Sequence, residues 1–302
     1  MVCLVVTRQR TDSKRIGLED RRGGNGRPMT DTNRTDDPWA EIAGFKWLTP
    51  VRRRIEDMVA SYEQAERDPT RAVRPEGLHM LLIAPPGLGR FRLPGAIAGM
   101  LRNRGHIRDL RVAHGFGTDL VSDWIGQTRQ HTLERCGHGL NAMLTIQYAS
   151  ELAGHPFSRE AVDTMMEFMD ANTRRIVITM IFEPSEMPKF AALFPELVSR
   201  FHKIEFPIPP LNEQFDFLRE LATRNNCRLP DNLEQLIRPW IERRMCEGRW
   251  EYMRQIGHLL GDAAYAWAER TGLPRDPDQR YQFPKGLALS LSDFEQAMTQ
   301  KR

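Results

Sequence analysis

The stretch that decides the fold is 79-HMLLIAPPGLGRF-91, an apolar run followed at once by a glycine-rich turn. Residues 79–84 are apolar enough, and few enough, to predict a buried β-strand. The turn stands where a strand–loop–helix unit that binds phosphate carries the pattern GxxxxGK[ST]. In that pattern backbone amides cradle the phosphates, a lysine reaches the terminal phosphates and a hydroxyl ligates magnesium.

The chemistry of this turn departs from the pattern at three positions. Ala84 stands in place of the first glycine, Arg90 in place of the lysine and Phe91 in place of the hydroxyl. Gly87 and Gly89 can still turn amides toward a phosphate, and Arg90 keeps a positive charge. A phenyl ring, however, cannot bind a metal ion.

The helix predicted after the turn contains Pro94. A proline inside a helix removes a hydrogen bond and costs about 3 kcal/mol unless it lies in the first turn. We therefore expect this helix to bend or to begin late, away from a phosphate. Taken alone, the turn also stays open to a second interpretation, a proline-glycine turn of no function.

Strands and helices alternate on both sides of the turn. A helix is predicted from Pro50, and a further one at 160–174. Additional strands are predicted at 110–113, 142–146, 175–181 and 203–206. This alternation predicts an α/β fold with a mostly parallel sheet covered on both faces. After Pro209 and Pro210 the strands are expected to stop, with helices at 211–225, 232–246, 250–271 and 292–298.

These patterns divide the chain into three parts. Residues 1–38 are polar after Val6 and predict a disordered tail, with Met1 and Met29 both open as the natural start codon. Residues 39–209 predict the α/β domain, and residues 210–302 a smaller helical domain.

Composition narrows the class of protein. The 302 residues are 40% hydrophobic, which is enough for a large core. No run approaches the roughly 20 apolar residues of a membrane helix, so we expect a soluble cytoplasmic protein without a membrane partner. The 43 basic and 40 acidic residues nearly balance, so the charge of the whole chain gives no case for nucleic acid. The four cysteines show no CxxC spacing and predict no metal site.

Several segments, in matching order, resemble one family. They are 48-LTPVRRRIED-57, 78-LHMLLIAPPGLGR-90, 119-DLVSDWIGQT-128, 160-EAVDTMMEFMDANTRRIVITMIF-182 and 194-FPELVSRFHKIEFP-207. The chain resembles the CbbX/CfxQ/SpoVK group of AAA+ proteins, which includes the red-type Rubisco activase. The resemblance implies a parallel sheet of the P-loop type between helices, followed by an all-helical lid domain.

The family's hydrolytic residues are missing. Its Walker B strand ends in Asp-Glu, which hold magnesium through water, whereas 141-NAMLTIQYASEL-152 ends the strand in Gln147 and Tyr148. At the sensor 1 position, residues 181–183 offer no amide to position a water molecule. The resemblance therefore implies a pseudo-ATPase without turnover of its own.

Other matches concern neighbouring subunits and residual nucleotide binding. Arg200 matches the arginine finger that acts in the adjacent subunit's site. Residues Trp124, Ile125 and Gly126 match the pore loop that grips a polypeptide. A residual site that holds ATP or ADP weakly, without magnesium, is implied at Gly87, Gly89, Arg90 and Arg254, the last near the sensor 2 position.

Each of these residues also has an ordinary interpretation. Arg200 can be a solvated surface charge, and Trp124 can be part of the core. Cys136 and His138 have CxH spacing but no second ligand pair, so we expect no metal there. The methionines Met165, Met166 and Met169 are predicted to be helical core.

Three functions remain open. The first is a pseudo-ATPase subunit in a chaperone-like remodelling oligomer, alongside an active AAA+ paralogue. It would contribute Arg200 and the pore loop to a channel that acts on a protein substrate, for which the resemblance suggests Rubisco or another folded complex. The second is a non-enzymatic scaffold that uses the same fold. The third is a nucleic-acid-associated relative of the TniB-type transposition ATPases, although nucleic acid is not the expected partner.

Overall fold

The computed structural model describes residues 37–68, 77–272 and 286–299, so the predicted tail lies almost wholly outside the described residues. The main sheet contains β1 (Met80–Ile83), β2 (Val112–Phe116), β3 (Ala142–Gln147), β4 (Ile176–Phe182) and β5 (His202–Glu205). The helices around these strands are α1 (Thr49–Arg67), α2 (Leu93–Asn103), α3 (Thr128–Gly137), α4 (Ser158–Ala171), α5 (Met187–Leu193) and α6 (Pro195–Ser199). Short 3-10 helices lie at Ala40–Ile42, Lys46–Leu48, Gly117–Leu120 and Ala149–Gly154.

The five strands pair in the order β2-β3-β4-β1-β5, and every pair is parallel. Side chains alternate between two cores, as strand geometry requires. Met80 and Leu82 join the core formed with α1 and α2, whereas Leu81 and Ile83 join the core formed with α4 and α5. The predicted α/β fold with a covered parallel sheet is therefore confirmed.

One strand differs from its predicted position. The apolar letters near Leu110 predict a strand at 110–113, whereas β2 runs from Val112 to Phe116. His114 and Gly115 interrupt the apolar pattern, because β2 is an edge strand whose side chains are only partly buried. This shift places Phe116 at the carboxyl edge of the sheet.

Helices dominate the chain after Pro210. They are α7 (Leu211–Arg224), α8 (Leu233–Cys246), α9 (Tyr252–Thr271) and α10 (Leu291–Thr299). The expectation that strands stop there is wrong in one respect, since β6 (Cys227–Arg228) pairs in parallel with β7 (Leu287–Ala288). These two-residue strands are too short to leave a sequence pattern. The separation of a helical domain at residue 210 stays a prediction.

The described helices share one further property. None of them combines the length and the apolar character that crossing a bilayer requires.

Candidate functional site

The glycine-rich turn after β1 has the backbone shape that its two glycines allow. Gly87 and Gly89 both lie in the left-handed region, at φ +86° and +83°. A hydrogen bond fixes the position of the loop: Nε1 of the buried Trp47 donates to the carbonyl of Leu88 at 3.2 Å. The helix α2 begins only at Leu93, with Pro94 in its first turn, where a proline is tolerated. The expected late start of this helix is therefore what the structure has.

Arg90, at the position of the lysine, is bonded within its own chain. Its side chain is buried, Nη1 donates to the carbonyl of Ala84 at 2.7 Å, and Nη2 lies 3.0 Å from Oε1 of Glu183. Its guanidinium also lies 5.1 Å from the ring centroid of Phe91. The carboxylate thus neutralises the cation that was predicted to face a phosphate. Glu183 is a site residue that the sequence did not reveal, because it lies 93 positions from Arg90.

Three aromatic rings occupy the edge of the sheet where the metal chemistry would be. Tyr148 follows β3 and lies between Phe91, at 5.9 Å between ring centroids, and Phe116, at 6.2 Å and nearly parallel. Tyr148 has φ +48°, an uncommon backbone conformation for an aromatic residue. Magnesium takes carboxylate, carbonyl, phosphate and water oxygens, and two phenyl rings and a phenol supply none of these from the protein, so these three side chains do not fit a magnesium ion.

The start of α9 lies directly against the loop. A Cβ atom placed on Gly87 would collide with the backbone carbonyl of Glu251 and would lie 3.2 Å from Cβ of Arg254. The Arg254 guanidinium donates to Oε2 of Glu251 at 2.7 Å. The structure thus places Gly87 beside Arg254, with the backbone at the start of α9 packed against the loop. Whether a nucleotide binds there stays a prediction.

Arg200 lies on the opposite edge of the sheet. It follows α6 and precedes β5, whose first residue His202 pairs with Met80 at the amino end of β1. The loop begins at the carboxyl end of β1, about four residues or roughly 13 Å further along the strand. Arg200 therefore cannot serve the loop of its own chain. Its guanidinium forms an ion pair with Asp170 at the end of α4.

A buried histidine lies beside Arg200. His79 is 2% exposed, and its Nδ1 accepts a hydrogen bond from the backbone amide of Ile178 at 3.0 Å. Burial lowers the pKa of His79 to about 4, with smaller contributions from His202 and Arg200. This histidine is therefore neutral when the protein is folded at neutral pH.

The segment predicted as a pore loop projects from the surface. Trp124 is 71% exposed and Ile125 is 89% exposed, so the alternative that Trp124 belongs to the core does not hold. Gly126 has φ +81° and turns the chain at the tip. Side chains fix the base of this loop: Thr128 Oγ1 accepts from the Ser122 amide at 3.1 Å, and the Ser122 hydroxyl accepts from the Trp124 amide at 3.2 Å.

The CxH pair has no metal-binding geometry. Cys136 is buried, and burial raises the pKa of its thiol to about 12. Within the described ranges, no three His, Cys, Asp or Glu side chains are grouped so as to hold a metal ion. The methionines of α4 behave as predicted, since Met165 and Met169 are buried and Met166 packs against them.

Known proteins share this arrangement of segments. No family model matches the chain. It is 26% identical over 237 residues to Protein CbbX of Cereibacter sphaeroides, which covers 76% of each chain. It is 24% identical over 212 residues to Stage V sporulation protein K of Bacillus subtilis, covering 67% of this chain and 64% of that one. The FIGL-1 AAA domain, solved in complex with ADP, superimposes with a TM-score of 0.55 at 15% identity, over 86% of this chain and 82% of that chain.

Proposed function

Because this chain is a CbbX/SpoVK-like member of the AAA+ family, we propose that it is a pseudo-ATPase subunit of a protein-remodelling ring. It would bind beside an active AAA+ paralogue and supply Arg200 and the loop at Trp124 to the shared assembly. The observation that carries the proposal is the ion pair between Arg90 and Glu183. Arg90 is the one cation that the altered loop retains, and in this ion pair it binds a carboxylate of its own chain.

Loss of hydrolysis follows from the chemistry of the loop. Phosphoryl transfer needs a metal ion, a cation on the terminal phosphates and a group that orients the attacking water. Phe91, Tyr148 and Phe116 fill the metal's side of the site, and Arg90 faces a carboxylate. At this site the described residues therefore supply none of these three groups in a form suited to its task.

A role in a neighbouring subunit is supported by the position of Arg200. Because this guanidinium lies at the edge opposite its own loop, it could reach a bound nucleotide only in another subunit. An arginine supplied in trans stabilises the charge that develops in phosphoryl transfer. The pair with Asp170 is partly exposed, and ion pairs of this kind contribute little. Arg200 can therefore exchange Asp170 for a phosphate at little cost.

Turnover by the chain itself is tested with the purified full chain. A fluorescent ATP analogue measures binding with and without magnesium, and a phosphate-release assay measures hydrolysis. We expect no release, whether or not the analogue binds weakly. Magnesium-dependent release that rises with protein concentration would show that the assignment of Phe91, Gln147 and Tyr148 is wrong.

The role in trans is tested in a complex reconstituted with the AAA+ subunit that co-purifies with the chain. Arg200→Ala should abolish phosphate release at partner sites that adjoin this chain, since an arginine finger contributes about 10³-fold or more. Lys203→Ala is the matched control, because Lys203 is an exposed cation on the neighbouring strand. An equal rate for both variants and the unmodified complex would exclude the role of Arg200.

The scaffold alternative differs at the exposed loop. A scaffold needs no gripping residue, whereas a remodelling subunit loses substrate processing when Trp124 is replaced. Trp124→Ala is compared with Leu193→Ala, which removes another exposed apolar side chain. Loss of processing in the first variant alone supports the ring subunit, and no loss in either supports the scaffold.

A further inference from the structure

The amino edge of the sheet carries four arginines without a carboxylate partner within the described part of the chain. One lies in the last turn of α2, two precede β2 and one precedes β4, and all four are exposed. We call them the amino-edge arginine patch: Arg102, Arg108, Arg111 and Arg175. Arg175 is held by a hydrogen bond from its Nε to Oδ1 of Asn141 at 3.5 Å.

Backbone hydrogen bonds gather this patch around one residue. The amide of Arg108 donates to the carbonyl of Asn141 at 2.9 Å, and the amide of Asn141 donates to the carbonyl of Arg175. The carbonyl of Arg111 accepts from the amide of Met143 in β3, the strand that begins directly after Asn141, at 3.3 Å. Arg111 directly precedes β2 and Arg175 directly precedes β4, which are the two strands that flank β3, and neighbouring strands lie about 4.8 Å apart.

The acidic residues near this edge are largely engaged by other cations. Glu63 contacts Arg104 at 3.5 Å and His106 at 2.9 Å, and Glu66 contacts Arg174 at 3.2 Å. Asp109 is exposed within the patch and offsets one of its four charges. The patch thus retains a local excess of positive charge, although the whole chain is nearly balanced.

Another arginine-rich region shows the contrast. On α8, Arg238 lies 3.8 Å from Glu234 and 3.9 Å from Glu242, and just after the helix Arg249 lies 3.6 Å from Glu247. Arginine content alone therefore does not single out the amino edge. What distinguishes this edge among the described residues is that four exposed arginines without a carboxylate partner lie at one edge of the sheet.

The absence of apolar anchors indicates the class of partner. Protein interfaces are built around buried apolar and aromatic residues. The large exposed hydrophobic side chains among the described residues are elsewhere: Phe116, Trp124, Ile125, Leu133, Tyr148, Leu193, Ile208, Met245 and Leu291. With no exposed aromatic ring, the patch also lacks the stacking platform that single strands use.

We propose that the amino-edge arginine patch binds duplex nucleic acid through its phosphate backbone, without reading bases. Planar guanidinium groups bind phosphate with two hydrogen bonds each, which suits a row of four. The patch is on the edge opposite the degenerate loop. None of the four arginines is among the residues assigned to the pseudo-ATPase role, so each proposal has its own variants and either can fail without the other.

The test uses the full chain and a short labelled duplex DNA of mixed sequence, with binding followed by fluorescence anisotropy across a KCl series. If each arginine contacts one phosphate, log K should fall against log [KCl] with a slope of about −3.6. The variant Arg102→Gln/Arg108→Gln/Arg111→Gln/Arg175→Gln should lose most of this slope and bind at least about tenfold more weakly at low salt.

The control variant removes the same charge elsewhere. Arg53→Gln/Arg54→Gln/Arg228→Gln/Arg243→Gln changes four other exposed arginines that have no carboxylate partner within the described ranges. It should keep the slope of the unmodified chain. Equal weakening in both variants, or no binding at the lowest salt, would overturn the proposal. So would tighter binding of single-stranded DNA, or binding of polyglutamate in place of the duplex.

Discussion

Arg90 and Glu183 form an ion pair, with Nη2 and Oε1 3.0 Å apart, that joins the degenerate loop to the end of β4. Arg90 stands in the glycine-rich loop where a phosphate-binding motif carries its lysine, and Glu183 directly follows β4. The carboxylate of Glu183 thus binds the guanidinium that a phosphate would otherwise bind. Because Arg90 is buried, this pair has consequences for folding as well as for binding.

Removal of Glu183 should destabilise the protein. Glu183→Leu leaves a buried guanidinium without its counter-ion, which we expect to lower the free energy of unfolding by about 2 kcal/mol. The double variant Arg90→Met/Glu183→Leu removes both charges and should recover most of that loss. Urea unfolding measures both, with the exposed Glu205→Leu as control. Equal stability of Glu183→Leu and Glu205→Leu would contradict a stabilising pair.

The contact between the loop and α9 can be measured with two glycines. Gly87→Ala adds backbone strain at φ +86° and a collision with the Glu251 carbonyl, so we expect a loss of about 3 kcal/mol. Gly89→Ala adds similar strain at φ +83°, but its nearest neighbour is Leu48 Cδ1 at 4.0 Å, so about 1 kcal/mol is expected. Thermal unfolding of the two variants separates strain from packing. Equal losses would mean that α9 does not pack against the loop in solution.

Stability should depend on the protonation of His79. Its pKa falls from 6.5 to about 4 on folding, chiefly by burial, while His202, Arg200 and Asp170 face it. The unfolded chain therefore binds an extra proton between these values, and stability should fall as the pH drops from about 6.5 to 4, by roughly 3 kcal/mol. His79→Gln, which has no titratable group, should show a smaller fall. Parallel curves of urea stability against pH would refute this assignment.

Thiol reactivity should distinguish two cysteines. Burial raises the pKa of Cys136 to about 12, and only the thiolate reacts with an alkylating agent. Cys246 is exposed at the end of α8. Peptide mapping after brief iodoacetamide treatment at pH 8 should find Cys246 modified and Cys136 intact, until urea unfolds the chain. Early modification of Cys136 would show that the space around α3 opens readily.

The parts of the fold that the sequence predicted are those with a local pattern. The run at 79–84 predicts β1, and the spacing of Val51, Ile55 and Val59 predicts the buried face of α1. The cluster of Phe91, Tyr148 and Phe116 has no such pattern. It depends on which strands are neighbours at the carboxyl edge, and the predicted β2 ended before Phe116.

The candidate site residues also divide into those that a local motif locates and those that depend on which strands are neighbours. The motif located Gly87, Gly89 and Arg90, but the partner of Arg90 is distant in sequence and could be found only from the paired strands β1 and β4. The unpaired arginines of the amino edge were equally hidden. Composition counts charges, whereas pairing depends on which carboxylates the fold brings within reach.

The three adjoining rings at the carboxyl edge also bear on how readily this site could be changed into one that holds a metal ion. A carboxylate substituted at Tyr148 alone would lie against Phe91 and Phe116, where it would lose the ring contacts and gain no cation. A hydroxyl at Phe91 alone would leave Tyr148 with a gap on one side. Each of these single substitutions therefore loses contacts that the cluster now has, so a metal site could be built here only by changing several of the three residues together.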